Sequence, residues 1–256
     1  MNLIKIYGRH AVLEALRAPL GRVQKVILAQ GGHGAIFKEL SQEAQLRGVP
    51  VEMLDRRRFE KMAGKVVHQG ALALAQAREY LDLQDLLAQA KHDLPNTLLM
   101  VTDEIEDPRN LGAIARCTEG AGATGLVITA HRSAELTSVA EKASGGAVEH
   151  LRIARVKNLV NAIGDMKQAG LWIVGLDATA EQEFWDADLR RPLALIIGAE
   201  GKGLRRLTRE HCDYLIKMPM RGQVGSLNAS VAAGLALYET LRQRRSAPAP
   251  QPANGV

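Results

Sequence analysis

Cysteine is scarce in this chain: Cys117 and Cys212 are the two examples in 256 residues, far apart and without CxxC spacing. That excludes a disulfide framework and leaves thiol redox chemistry without its usual parts; with seven scattered histidines, no metal site is predicted either. No apolar run approaches the roughly 20 residues that a membrane-spanning helix needs. The opening "MNLIKIYGRH" lacks the apolar core and small-residue cleavage site of a secretory signal, so a cytoplasmic location is expected, with no membrane partner. Aromatic residues make up only 4%. Base stacking is therefore limited, and any nucleic-acid contact must rest on phosphates and shape.

Several catalytic signatures are missing too. No strand-end loops carry a Ser-His-Asp order or a GxSxG elbow, which removes the usual parts for hydrolysis. "VILAQGGHGAIFKEL", with Gly31, Gly32 and Gly34 after a strand and Glu52 further on, imitates a dinucleotide fingerprint. It lacks the third glycine of that pattern, and a plain turn is the better reading. "GAEGKG" at 198–203 fails as a phosphate loop, because the spacing to Lys202 is short and no Ser or Thr follows. Group transfer from a pre-activated donor fits better, since it needs mainly positioning.

What is present is enough apolar material for a proper core, 46% of the residues, and an uneven charge. Net charge is +5, yet residues 1–78 hold 13 lysines and arginines against 6 acids, while residues 79–256 hold 20 against 22. A basic piece on a near-neutral remainder predicts a polyanion-binding module, with nucleic acid the best candidate, although a basic surface also merely aids solubility. The arginines of "DRRRFEKMAGK" (Arg56, Arg57, Arg58) and Arg9 are its RNA-binding candidates.

Periodicity divides the chain in two. "GRHAVLEALRA" reads as a helix, "VQKVILAQ" as a strand, "AIFKELSQEAQLRG" as a helix, and "VPVEML" and "QGALALAQA" as strands, which makes a small α/β domain over 1–78. Residues 79–96 mix charge, a short amphipathic helix and a Pro-Asn break, and are expected to link it to a second domain over 97–245. There short apolar strands alternate with helices, the pattern of a mainly parallel sheet covered on both faces. The Pro/Ala-rich residues 246–256 read as a disordered tail.

In such sheets ligands bind beyond the carboxyl ends of the strands, so "DEIEDPRNLG", "GLDATA", "GAEGKGL" and "MRGQVGSLN" are the loops to compare. "IIGAEGKGL" offers a backbone that approaches a ligand closely at its glycines, with Glu200 held at the strand end. In "DPRNLGAIARCTEG", Asn110 suits a helix cap, and Arg116 wants a phosphate or a carboxylate partner. "GSLNAS" puts Ser226, Asn228 and Ser230 at a helix entrance, where capping alone would account for them.

Taken together, "DPRNLGAIARCTEGAG", "LALIIGAEGKGLRRL" and "IKMPMRGQVGSLNASVAAGLALYE" resemble the three ordered motifs of the SpoU/TrmH branch of the SPOUT methyltransferases, over nearly all of residues 97–245. "YGRHAVLEAL" and "HQGALA" look like the substrate-binding domain of that branch's rRNA enzymes, a small α/β fold akin to RNA-binding ribosomal proteins. The resemblance implies a C-terminal SPOUT domain with a trefoil knot, a homodimer through that domain, and S-adenosylmethionine as methyl donor. The implied acceptor is the ribose 2′-hydroxyl of a guanosine in 23S ribosomal RNA, in the peptidyl-transferase loop, either as naked RNA or in an assembly intermediate. Alternatives are the same chemistry on tRNA, or a non-catalytic RNA-binding protein of ribosome assembly. Carried over, the motifs make Asn110, Arg116, Glu200, Ser226 and Asn228 the catalytic candidates, and Leu176, Gly198, Gly201, Met218 and Leu227 the cofactor contacts. Arg109, beside Asn110, adds positive charge for RNA.

Overall fold

In the computed structural model, residues 3–19, 21–32 and 34–245 are described, and the short apolar runs of the sequence become two sheets. The first has the order β1-β4-β2-β3 and consists of β1 (Leu3–Tyr7), β2 (Val23–Ala29), β3 (Val51–Leu54) and β4 (Ala71–Gln76). It is mixed: β4 runs antiparallel to both neighbours, and β2 pairs parallel with β3. Helices α1 (Arg9–Arg17) and α2 (Ala35–Leu46) cover one face over Val12, Leu16, Val26 and Leu40. The other face takes α3 (Arg56–Ala63), which inserts Phe59 against Ile27 and Leu72.

Two of these elements go beyond the sequence expectation. β1 precedes the first predicted helix and forms the sheet's edge through pairing with β4. The basic stretch after β3 is helical: Asp55 caps it by accepting from the Arg58 N–H at 3.0 Å, and Phe59 and Ala63 supply its buried side. Glu52 of the imitation fingerprint pairs with Lys25 of the neighbouring strand at the surface.

The larger sheet has seven strands in the order β7-β6-β5-β10-β8-β11-β9, every neighbouring pair parallel. Its elements are β5 (Leu98–Asp103), α5 (Pro108–Gly120), β6 (Gly125–Thr129), α6 (Ser138–Ala143), β7 (Ile153–Val156) and α7 (Leu159–Gln168). Then come β8 (Trp172–Leu176), β9 (Gln182–Glu183), β10 (Leu193–Gly198), α8 (Arg206–His211), β11 (Tyr214–Lys217) and α9 (Ala229–Arg245). Because side chains alternate along a strand, each run feeds two cores. Met100, Ile128, Leu195 and Ile197 face α5 and α9, while Leu99, Val101, Val127 and Ile196 face α7.

Residues 79–96 are more than a tether. Leu81 bridges to Ala154 at the edge of the sheet, and α4 (Leu83–Ala90) buries Leu83, Leu86 and Leu87 in the α7 core. The tail at 246–256 lies outside the described residues. Among the described residues, no helix is long and apolar enough to cross a membrane.

Small residues let the helices approach. A Cβ on Gly112 would lie 2.3 Å from the Ala140 carbonyl oxygen, so α5 and α6 meet there only through glycine. The alanines of "NASVAAGLA" (Ala229, Ala232, Ala233 and Ala236) are buried, and Gly234 leaves room for Cys117 of α5.

Candidate active site

All the strands of a parallel sheet end on one side, and here the carboxyl ends of β5, β8, β10 and β11 stand together: Gly198 is in register with Asp103, and Leu176 with both Ile197 and Ile216. The loops leaving β8, β10 and β11 line a cavity of about 260 Å³. Leu176, Gly198, Gly201, Met218, Ser226 and Leu227 all line it, so the structure brings together every residue the motifs assign to the cofactor.

The loop after β10 is tightly folded. Gly203 N–H donates to the Ala199 carbonyl at 2.8 Å, and a Cβ on Gly198 would sit 2.1 Å from the Gly203 carbonyl carbon. Only glycine fits at 198. An anchor holds the loop's far end: Arg205 donates through its N–H (3.0 Å) and Nε (2.6 Å) to Asp103, which is fully buried at the end of β5. The next residue, Glu104, has φ +58°, a left-handed turn that costs a non-glycine residue, and its carboxylate lies 3.3 Å from the same guanidinium.

Beside the cavity, Asn228 joins two motifs to a third. Its Nδ2 donates to Asn110 Oδ1 at 3.0 Å and to Glu200 Oε1. Its Oδ1 meanwhile caps α9, accepting from the N–H groups of Ser230 (2.9 Å) and Val231 (3.3 Å) and from the Ser230 hydroxyl (2.6 Å). The amide thus spends its oxygen on the helix and its nitrogen on the cluster. α5 starts on a cap of its own, Asp107 accepting from the Arg109 N–H at 2.8 Å with Pro108 at the first turn; this frees the Asn110 side chain from capping.

Arg116 lies elsewhere. It is exposed on α5, its guanidinium laid against Gly145, in a hollow of about 540 Å³ shared with His10, Glu14, Ser144 and His150. Among the described residues it makes no hydrogen bond or ion pair. The RNA candidates also divide. Arg56 pairs with Glu60 and Arg58 with Asp55 on exposed α3, and Arg109 is exposed at the start of α5. Arg9 is engaged structurally, stacked 4.6 Å over Phe37 and donating to the Gln69 carbonyl at 2.8 Å.

A second polar cluster on the cavity wall escaped the sequence reading. Asp177 accepts from the Thr179 N–H (2.8 Å) and hydroxyl (2.6 Å) and pairs with Arg209 Nε at 3.1 Å, while Arg209 also donates to the Thr179 hydroxyl. "GLDATA" was among the strand-end loops, but nothing in α8 marked Arg209 as its partner. Thiol chemistry has no support here: burial raises the Cys117 thiol and pushes Cys212 up to about 12, so neither is a thiolate at neutral pH. Among the described residues, no cluster of His, Cys, Asp or Glu could hold a metal.

A glycine-lined cavity at the strand ends, flanked by an Asn-Asn-Glu cluster, defines an α/β protein built to hold a ligand between three loops. The model of the SpoU rRNA methylase family matches residues 97–238, and that of the RNA 2′-O ribose methyltransferase substrate-binding domain matches residues 5–81. The 23S rRNA (guanosine-2′-O-)-methyltransferase RlmB of Pseudomonas putida is 42% identical over 247 residues, covering 95% of this chain and 98% of that protein. A crystal structure of an RNA 2′-O ribose methyltransferase superposes with a TM-score of 0.76 at 30% identity, over 95% of this chain and 89% of that one. The SpoU methyltransferase AviRb from Streptomyces viridochromogenes, solved in complex with AdoMet, gives a TM-score of 0.75 at 25% identity, over 96% and 92%. The chain belongs to the SpoU rRNA methylase family and is a methyltransferase.

Proposed function

We propose that this protein transfers a methyl group from S-adenosylmethionine to the ribose 2′-hydroxyl of a guanosine in 23S ribosomal RNA. The observation that carries the reading is the hydrogen-bonded cluster of Asn110, Asn228 and Glu200 beside the glycine-lined cavity. The cofactor fits the residues present. Leu176, Met218 and Leu227 offer apolar surface to a purine, and the missing side chains at Gly198 and Gly201 let main-chain groups approach it. When bound, S-adenosylmethionine supplies an electrophilic methyl on its sulfonium.

The chain's own residues must then place a ribose hydroxyl and its phosphate. Glu200, oriented by the Asn228 amide, presents a carboxylate at the cavity rim, and Asn110 and Ser226 add hydrogen-bonding groups to orient the ribose. Arg116, without a protein partner among the described residues, is suited to take the nucleotide's phosphate. A guanidinium stays protonated and is a poor base, so it anchors the phosphate or raises the acidity of the hydroxyl instead of removing its proton. The small basic domain over residues 1–78 would hold the RNA, with exposed Arg56, Arg57, Arg58 and Arg109 contacting phosphates and Arg9 supporting the surface.

The same reading includes a homodimer and a knotted C-terminal chain, in a cytoplasmic protein. α9 leaves Val231, Leu235 and Tyr238 exposed at spacings of four and three, an apolar stripe suited to a second copy. Insertion of the late strand β10 between β5 and β8, with α9 returning onto α5, is compatible with the knot.

Labelled methyl transfer to 23S rRNA, to a ribosomal assembly intermediate and to tRNA, followed by mapping of the modified nucleotide, tests the assignment; the resemblance points to the peptidyl-transferase loop. R116A is expected to abolish transfer while cofactor binding persists. Transfer to tRNA alone would overturn the acceptor, and failure to bind S-adenosylmethionine in calorimetry would favour a non-catalytic assembly protein.

A further inference from the structure

The two sheets are joined by a buried network that the proposed reaction does not use. Arg22, 5% exposed in the turn before β2, donates through Nε to Glu149 Oε2 (2.9 Å), through Nη2 to Glu141 Oε1 (2.8 Å) and again to Glu149, and through Nη1 to the Gln76 carbonyl at the end of β4 (2.8 Å). Both glutamates belong to the larger unit, Glu141 on α6 and Glu149 in the short 3-10 turn after it, and both are buried. Arg78 donates both terminal nitrogens to the Val148 and Leu151 carbonyls of the same segment. Around this core α1 closes in. Gly146, at φ +97°, leaves a gap that a Cβ would fill 2.5 Å from Glu14 Cβ, and Glu14 meets His150 Nε2 at 2.8 Å.

Replacing such ions by apolar side chains of similar size is often neutral or stabilising, whereas removing one partner leaves a buried charge and is costly. The cluster therefore adds little net stability, but its several directional bonds are satisfied in only one orientation of the small unit. That orientation sets α1 across the hollow of Arg116, through His10 and Glu14.

We propose that the Arg22–Glu141–Glu149 network is an orientation lock: it fixes the RNA-holding unit over the hollow of Arg116 and so decides which nucleotide of a bound RNA is presented for methylation. Arg22 and Glu149 are positioning residues, and neither lines the cofactor cavity. The inference rests on the methyl-transfer reading for its consequence, while the lock itself is a property of the fold.

The full-length protein is compared with R22M, with R22K, and with the double variant R22M/E149M, which removes the Arg22–Glu149 pair, leaves the Glu141 carboxyl neutral in its buried place, and so stays folded if R22M does not. Expected in R22M or the double variant are unchanged S-adenosylmethionine affinity in calorimetry, a tenfold or larger rise in KM for rRNA with a smaller change in kcat, and methyl groups spread over neighbouring nucleotides. R22K should recover part of the selectivity. Amide exchange over residues 141–151 and small-angle scattering report the orientation independently of activity. A folded double variant with wild-type KM, site selectivity and scattering would overturn the lock. A wild-type protein that transfers no methyl overturns the function instead, and the lock is then judged by scattering and exchange alone.

Discussion

Asn228 has two separable jobs, and two substitutions pull them apart. N228A removes both. Loss of the cap on α9 costs about 1 kcal/mol, which in a chain of this size lowers Tm by about 2–4 °C. Loss of the donor to Asn110 and to the Glu200 carboxylate releases a hydrogen bond to a charged group, about 1.5–3 kcal/mol, equivalent to roughly 10- to 100-fold in kcat/KM if Glu200 must be oriented for the reaction. N228D keeps the cap, because a carboxylate oxygen still accepts from the Ser230 and Val231 N–H groups. Its charge at a helix N-terminus contributes a further few tenths of a kcal/mol. The same change turns the donor facing Glu200 into a second carboxylate, so the cluster is repelled instead of held. N228D should therefore melt above N228A and yet transfer methyl at least as poorly. Calorimetric melting and initial-rate assays on one preparation decide it: an N228D variant with wild-type kcat/KM would reduce Asn228 to a cap, and the cluster would lose its place in the site.

G198A pushes a Cβ into the Gly203 backbone at 2.1 Å, so the loop must reshape; cofactor affinity should fall tenfold or more, and an unchanged Kd by calorimetry would refute the tight-loop account. D103A takes the buried end from the Arg205 anchor; with that arginine about half exposed, the stability loss should be about 1–3 kcal/mol in denaturant titrations, with weakened cofactor binding, and a silent variant would exclude Asp103 as the loop's anchor. Burial lifts the Glu141 carboxyl to about 7 despite Arg22 and Arg78, with Glu149 adding to the rise, and its Oε2 has no partner among the described residues. The folded protein thus holds this proton more tightly than the unfolded chain does. The group costs nothing below the ordinary carboxylate pKa, and its ionisation destabilises increasingly as pH rises towards about 7, by about 3 kcal/mol at most. E141Q, which still accepts from Arg22, should remove that dependence and gain on wild type between pH 5 and 8; parallel stability curves would refute it.

The parts of the fold that were legible from sequence are those where one local rule suffices. Runs such as "LALIIG" and "GLVIT" are apolar on both faces because helices cover both, and they read as parallel strands for that reason. α3 was hidden because three arginines fill its first turn and only Phe59 and Ala63 are buried, too little for an apolar period to show. β1 was hidden because it is five residues of edge strand whose partner, β4, lies some 65 residues on, with pairs such as Leu3 to Gln76 and Tyr7 to Leu72.

The site divides along the same line. Asn110, Glu200 and Asn228 could be named because each sits in a motif at a strand end, but their mutual bonds cross 28 and 118 residues of chain, and no local pattern carries such a pairing. Asp103 with Arg205 and Arg22 with Glu149, separated by 102 and 127 residues, read in sequence as ordinary surface charges. An Arg or a Glu announces a buried role only when the fold supplies its counterion, since the cost of desolvating it is set by a partner that the neighbouring residues do not reveal. For the same reason the basic N-terminal piece could be read as an RNA surface from its net charge, while Arg22, which ties it to the larger unit, could not be told from the other twelve basic residues there. Net charge is a sum over a segment and survives ignorance of the fold. The placement of a single charge does not, and here that placement ties the small sheet to the segment beside Arg116.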